Sequence, residues 1–438
     1  MTGTRRGRVP AVAALVCALA VVAGCTAPSD RAAVARPAAT PAATETPEGE
    51  DGPFEPTDVD FNAIEGLLGD RADAAIKGDV KAFLATVDPQ QPKLIAQQRV
   101  LATNLARLDV AKMAYVVDRT SLVVAGPVPG KAPRFRPLIV EHVQLAGTMS
   151  GPFANPVQMT FVRRGDRWFV GAENQRKTQD SYESPQERPW FGGPISVARS
   201  GRMTVLVDRD ATETLAGLVD SVGDDIAYTA DVLDVEPARD LLVDATSNGL
   251  AVDFSALVKE EAAAVSFGLF GPTSTSSAAR VGSAIKINPD LVEEALDQEG
   301  LMRHELTHFL FRDFNGTAPK WLSEGIAGYV EYYPSDFSRL EVADEFYDQL
   351  MAADRRLPII GLFDTDPAVN YPVSQAAVAW LAQRGGVARL KELMRAYRKA
   401  YEDVNVDALT PKVLRRVYDV RERAVVAGAF ELLAQLHH

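Results

Sequence analysis

A turn-rich break near the middle of the chain limits its possible folds more than any other feature. Pro185, Pro189 and Pro194 surround the pair Gly192-Gly193, and that density of Pro and Gly ends regular structure on either side. The chain has 438 residues, 47% of them hydrophobic, which is more length than one hydrophobic core uses. Two folded regions are expected, 57–190 and 195–438, each with its own order of elements.

Ahead of the break, apolar residues recur near helical spacing from Phe61 to about Asp88 (Ile64, Leu67, Leu68, Ala75, Ile76, Phe83, Leu84) and again from Leu94 to Leu108. Strand-like runs follow at Met113–Val117, at Leu138–Leu145, and at Val157, Met159 and Phe161, leading through Arg164-Gly165-Asp166 into Trp168, Phe169 and Val170. A Gly-Asp pair between alternating runs is what a hairpin demands, so the tripeptide reads as a turn and not as an adhesion signal. Helices followed by a curved meander make the class α+β. The stretch Phe161–Val170, with Ile76-Lys77-Gly78-Asp79 upstream, is similar to the nuclear-transport-factor-like cone fold and implies a cone-like accessory domain at 57–190. His142, alone on a strand, receives no role. Beyond the break, strands are expected at Met203–Asp208, Leu241–Ala245, Val265–Phe270 and Ala284–Ile287. An amphipathic helix is expected at Thr212–Leu233, and helices dominate from Asp290 onward.

Charge and cysteine usage exclude several functions. Lys plus Arg number 46 against 59 Asp plus Glu, a net charge of −13, which opposes the phosphate-tracking electrostatics of a nucleic-acid binder. The two cysteines, Cys17 and Cys25, both lie in the first 25 residues, leaving no disulfide framework, cysteine zinc cluster or thiol nucleophile downstream. Arg5, Arg6 and Arg8 precede the apolar run Ala11–Gly24, too short to span a bilayer and built like an export signal. Its end, Val22-Ala23-Gly24-Cys25, resembles the lipobox of bacterial lipoproteins, which implies lipidation at Cys25 after loss of residues 1–24. Removing that segment takes away three arginines and no acid, carrying the formal charge to −16, so lipid and not charge must hold the protein to a membrane. Residues 25–56, rich in Pro and Ala, read as a disordered tether. The expected location is extracytoplasmic, at the membrane surface.

The chemistry concentrates in His304-Glu305-Leu306-Thr307-His308, inside a Pro- and Gly-free stretch from Leu301 to Arg312. On a helix, histidines at i and i+4 share a face at a spacing that a tetrahedral metal can bridge. Glu305, offset by about 100° on the same turn, stands near a bound water without ligating the metal. A catalytic zinc needs a third protein ligand. Extended motifs that end in a third histidine want Gly at 311 and His at 314, and both positions are phenylalanine. The other common solution is a carboxylate from a following helix. The segment Thr317–Ala327 supplies Glu324, with Thr317 expected as the cap and Pro319 in the first turn.

These residues resemble the gluzincins, and within them the bacterial peptidase-MA-like proteins. The resemblance rests on His304–His308, on Trp321-Leu322-Ser323-Glu324-Gly325-Ile326-Ala327, and on Tyr371-Pro372-Val373-Ser374-Gln375 running into Val378–Leu381 and Arg384-Gly385-Gly386. It implies a zincin-like peptidase domain over 195–438, a small mixed sheet plus a helical subdomain. Zn2+ would sit on His304, His308 and Glu324, and Glu305 would activate a zinc-bound water. Tyr371 matches the downstream tyrosine expected to stabilise the oxyanion, with Tyr329 and Tyr332 as competitors. Ser323 stands where aminopeptidase relatives place asparagine, and no Gly-x-Met-Glu-Asn segment occurs, so an endopeptidase acting on proteins or peptides is expected. Ala284–Ile287 is the expected edge strand for substrate. The alternatives are a non-catalytic surface lipoprotein that binds a ligand or partner through its N-terminal domain, and an enzyme hydrolysing a cell-wall peptide amide.

Overall fold

The computed structural model describes residues 56–123, 133–175, 188–237, 240–248, 264–271, 280–297, 300–314, 317–333, 344–401 and 405–435. The expected signal segment, Cys25 and nearly all of the expected tether at 25–56 lie outside the described residues. Helices and strands form an α+β molecule with two sheets.

Three helices open the first layer: α1 (Asp58–Ile76), α2 (Val80–Leu84) and α3 (Pro92–Arg107). Thr57 starts α1 with a capping box, its hydroxyl accepting from the Asp60 amide while the Asp60 carboxylate accepts from the Thr57 amide at 2.9 Å. A four-stranded antiparallel meander follows: β1 (Val110–Val123), β2 (Arg134–Leu145), β3 (Phe153–Arg164) and β4 (Arg167–Gln175). Burial alternates strictly along β2, so one side of the sheet packs on the helices. Arg164 pairs with Arg167 across a two-residue turn, so the Arg-Gly-Asp sequence is a hairpin tip.

The second sheet has the order β5-β6-β7-β9-β8, formed by β5 (Ile195–Ser200), β6 (Met203–Asp208), β7 (Leu241–Ala245), β8 (Ala264–Phe270) and β9 (Arg280–Ile287). Strands β6, β7 and β9 run parallel, and the two edges, β5 and β8, run antiparallel to their neighbours. The amphipathic helix α4 (Thr214–Val232) links β6 to β7 and buries Leu215, Leu218, Val222 and Ile226 on one face of the sheet. Strand β5 escapes the sequence reading because Ile-Ser-Val-Ala-Arg-Ser is a short, half-polar edge whose burial fades along its length.

The Ala284–Ile287 segment is not an edge. It lies in β9, bonded to β7 on one side and β8 on the other, so its backbone groups are spent inside the sheet. The edge belongs to β8. Parallel pairing of β7 with β9 sends the intervening chain out to β8 and back, an ordering that strand patterns alone do not reveal.

The remaining α-helices among the described residues are α5 (Val292–Asp297), α6 (Leu301–Leu310), α7 (Lys320–Tyr332), α8 (Asp344–Ala352), α9 (Pro367–Ala400), α10 (Thr410–Tyr418) and α11 (Glu422–Leu433). From α7 onward they share one apolar core built around Trp321, Leu322, Ile326, Leu381 and Tyr397. Helix α9 breaks at Gly386, whose φ of 64° is left-handed. None of the described helices is both long and apolar enough to cross a membrane.

The two halves are not beads on a string. One continuous core runs from Phe83, Leu101 and Leu105 through Trp190 and Phe191 to Leu206, Leu242 and Ala284. Asn104 of α3 bolts the junction, donating to the Trp190 and Gly193 carbonyls at 3.0 and 2.8 Å and accepting from the Ile195 amide at 3.2 Å.

Candidate metal centre

Helix α6 is held from both sides. Met302, Leu306 and Phe309 recur at helical spacing and bury against Val243 and Ile285 of the second sheet and Leu218 of α4. Arg303 anchors the solvent side, donating to Asp225 at 2.8 Å while its guanidinium lies 3.9 Å from the centre of the Tyr228 ring. With that stripe facing the sheet, His304 and His308 project from another face towards α7, their ring centres 5.0 Å apart.

Helix α7 begins at Lys320, with Pro319 in extended conformation as its cap residue. The expected Thr317 cap is not formed, because the Thr317 hydroxyl donates to the Phe314 carbonyl at 2.9 Å and closes the preceding turn. Pro319 therefore stands just outside the helix and not in its first turn. Four residues along α7, Glu324 reaches the two imidazoles: its Oε2 lies 3.5 Å from His304 Nε2 and 3.4 Å from His308 Nε2.

These distances test whether a metal fits. Zinc with ligands at about 2.0–2.2 Å in tetrahedral array places the ligand atoms about 3.3–3.5 Å apart, and both carboxylate-to-imidazole distances fall at that spacing. The three ligand atoms lie within 4.8 Å of one another, and their residues are 1–2% exposed. His304 Nε2 and both oxygens of Glu324 are buried without a hydrogen-bond partner, which for charged groups costs well over ~1 kcal/mol each if nothing compensates. Glu305, also fully buried, and Glu331 bring the carboxylates around the two imidazoles to three. A divalent cation bound there would offset the negative charge of that buried set.

Glu331 was not foreseen in the sequence, although it lies seven residues, or two turns, beyond Glu324 and so on the same face of α7. Its carboxylate accepts from His304 Nδ1 at 3.0 Å, which turns Nε2 towards Glu324. Gly300 makes this approach possible. Its φ is 108°, and a Cβ there would stand 2.7 Å from the Glu331 carbonyl oxygen, so the start of α6 and the end of α7 can meet only at a glycine.

Burial works against charge on His304, but the carboxylates of Glu324 and Glu331 outweigh it and hold the imidazole well above its ordinary range. Burial likewise opposes ionisation of Glu324, and the two histidines overcome it, drawing the carboxyl down to about 2. At Glu305 burial wins and raises the carboxyl, with both histidines and the Ser266 hydroxyl pulling the other way. Ser266 belongs to β8, so the outermost described strand of the sheet and the carboxylate of Glu305 on α6 meet.

The structure thus brings His304, Glu305, His308 and Glu324 together. Tyr371 lies near the start of α9 with its ring edge-on to Phe363 at 5.0 Å, and Tyr329 and Tyr332 pack against the helical core. His142 lies half-buried on β2 between Ala114 and Ala154, in the other layer. Comparison with family models, curated proteins and solved structures returns no match.

Proposed function

We propose that this chain is a zinc-dependent metallopeptidase of gluzincin type. It would act as an endopeptidase on proteins or peptides outside the cytoplasmic membrane, where a lipid on Cys25 anchors it. The observation that carries the reading is the buried meeting of His304, His308 and Glu324, with Glu305 on the same helical turn as the first histidine. In this reading the second sheet with α6 and α7 is the zincin-like unit, and the three helices and meander of residues 57–190 are a cone-like accessory domain.

His304, His308 and Glu324 would hold the zinc, which would supply Lewis acidity to polarise an amide carbonyl and to make water a nucleophile near neutral pH. The remaining work belongs to side chains. Glu305 takes the proton of the attacking water on its carboxylate and returns it to the departing amine nitrogen. Glu331 keeps the His304 ring in one tautomer and orientation. Strand β8, the outermost strand of its sheet among the described residues, would receive an extended substrate as an added strand beside Glu305. Tyr371 is the proposed donor to the oxyanion.

Two measurements on purified protein test the proposal: metal content, and hydrolysis of a denatured protein substrate. The expectation is one zinc per chain, and retention of that zinc in Glu305→Gln with a rate loss of roughly 100- to 10,000-fold. Equal hydrolysis by both forms, or less than stoichiometric zinc with both histidines intact, refutes it.

A further inference from the structure

The N-terminal core contains charges for which the metal centre has no use. Tyr115, Glu141 and Asn155 stand in register across β1, β2 and β3, and Glu141 and Asn155 are buried among the inward-facing residues. Arg71 from α1 and Arg188 from the segment before β5 are fully buried and share one acid. Arg71 donates to Glu173 at 2.6 Å, while Nη1 of Arg188 donates to Glu173 at 2.7 Å and to Glu141 at 3.0 Å.

The cluster leaves six buried polar atoms without a hydrogen-bond partner: Arg71 Nε, Arg188 Nε and Nη2, the Tyr115 hydroxyl, Glu141 Oε2 and Asn155 Oδ1. Each orphaned group costs ~1–3 kcal/mol, and native interiors hold only a few per hundred residues. A self-sufficient ion-pair network would spread its pairing over both guanidinium edges, whereas here one nitrogen of Arg188 serves both acids. Phe191 covers a face of that guanidinium at 4.3 Å.

Four of the six atoms are donors and two are acceptors. Burial pushes Glu141 above the ordinary carboxylate range despite Arg188, while Arg71 and Arg188 overcome the same burial at Glu173 and hold it below. Two guanidiniums therefore share Glu173, the acid whose charged form its surroundings favour.

We propose that this interior is a binding site for a small hydroxy- or amino-carboxylate. Its carboxylate is received by Arg71, Arg188 and the Tyr115 hydroxyl, and its hydroxyl or amino group donates to Glu141 and Asn155. The site is independent of the metal centre. Its enclosure means that ligand exchanges through local opening, so binding is slow and requires long incubation.

The test is thermal unfolding of the full chain after overnight incubation with lactate, glycine, acetate or inorganic phosphate, against chloride at equal ionic strength. Saturable stabilisation by lactate or glycine, weaker stabilisation by acetate, and a roughly ten-fold or greater loss of apparent affinity in Tyr115→Phe support the site. Tyr115→Phe keeps the ring and removes one hydroxyl, so the fold survives the comparison. Absence of saturation with lactate and glycine overturns the proposal, as does saturation by phosphate alone. Affinity unchanged in Tyr115→Phe, or crystallographic density for water only among these residues after soaking, also overturns it.

Discussion

Gly325→Ala tests how Glu324, the proposed third metal ligand, is positioned. Helices α7 and α9 touch at Gly325, where a Cβ would stand 2.4 Å from the Ser374 carbonyl oxygen and 2.6 Å from a methyl group of Val378. Ordinary contact begins near 3.4 Å, so the helices must part locally by about 1 Å. The obstacle is largely backbone, in a core where Ser374 and Val378 are fully buried and cannot swing aside. Overpacking of this kind costs ~2–3 kcal/mol, and the better helix propensity of alanine returns ~1 kcal/mol. A net loss of ~1–2 kcal/mol is expected. Glu324 is the adjacent residue, and a shift approaching half a zinc–oxygen bond length, itself about 2.0–2.2 Å, weakens metal binding as well. Urea denaturation of the metal-free protein measures the first effect, and zinc titration against a competing chelator the second. Gly217→Ala in α4 is the control: it is exposed, meets nothing within 4 Å, and should gain ~0.5–1 kcal/mol. If Gly325→Ala matches or exceeds the parent in stability, or binds zinc equally well, the close helix approach does not set the ligand's position.

Three further outcomes follow from the same geometry. Glu331→Gln should lower zinc affinity about 10- to 100-fold while leaving the metal-free stability nearly unchanged, because it removes only the carboxylate behind His304; chelator competition reads it out. Stripping the metal should lower the thermal midpoint, since free zinc at 1,000 times its dissociation constant contributes ~4 kcal/mol to the folded state; a midpoint indifferent to chelator denies a specific site. Acid should destabilise the N-terminal layer. Burial tends to raise Asp60 and Asp88, but Thr57, Trp168 and Arg163 around the first, and Arg164, Gln90 and Gln91 around the second, hold both below the ordinary carboxylate range. Such groups contribute stability that is present above the unfolded value of about 3.9 and is lost as pH falls through the lowered folded values. Urea midpoints should therefore drop between pH 6 and pH 3, and less steeply in Asp60→Asn.

What was legible from the chain was local. The histidine pair declares its shared face because four residues span about one helical turn. Met203–Asp208 and Leu241–Ala245 coincide with β6 and β7, short apolar runs bounded by polar residues, and the amphipathic helix between them matches α4 within two residues at its start and one at its end. The Gly165-Asp166 turn follows from backbone conformations that few other residues adopt easily.

Other features depend on partners distant in sequence. Thr317 had a free choice between capping α7 and closing the turn at Phe314, and only the path of the backbone selects. The strand 284–287 reads the same whether at an edge or inside a sheet; pairing with β7, some forty residues earlier, settles it. Glu331 resembles any exposed helical acid until α6 crosses α7 at Gly300 and delivers His304 to it. Periodicity and spacing act over a few residues and survive in one dimension. Ligand convergence, strand order and the core shared across the proline-rich break arise from contacts that form only when the chain has folded back on itself.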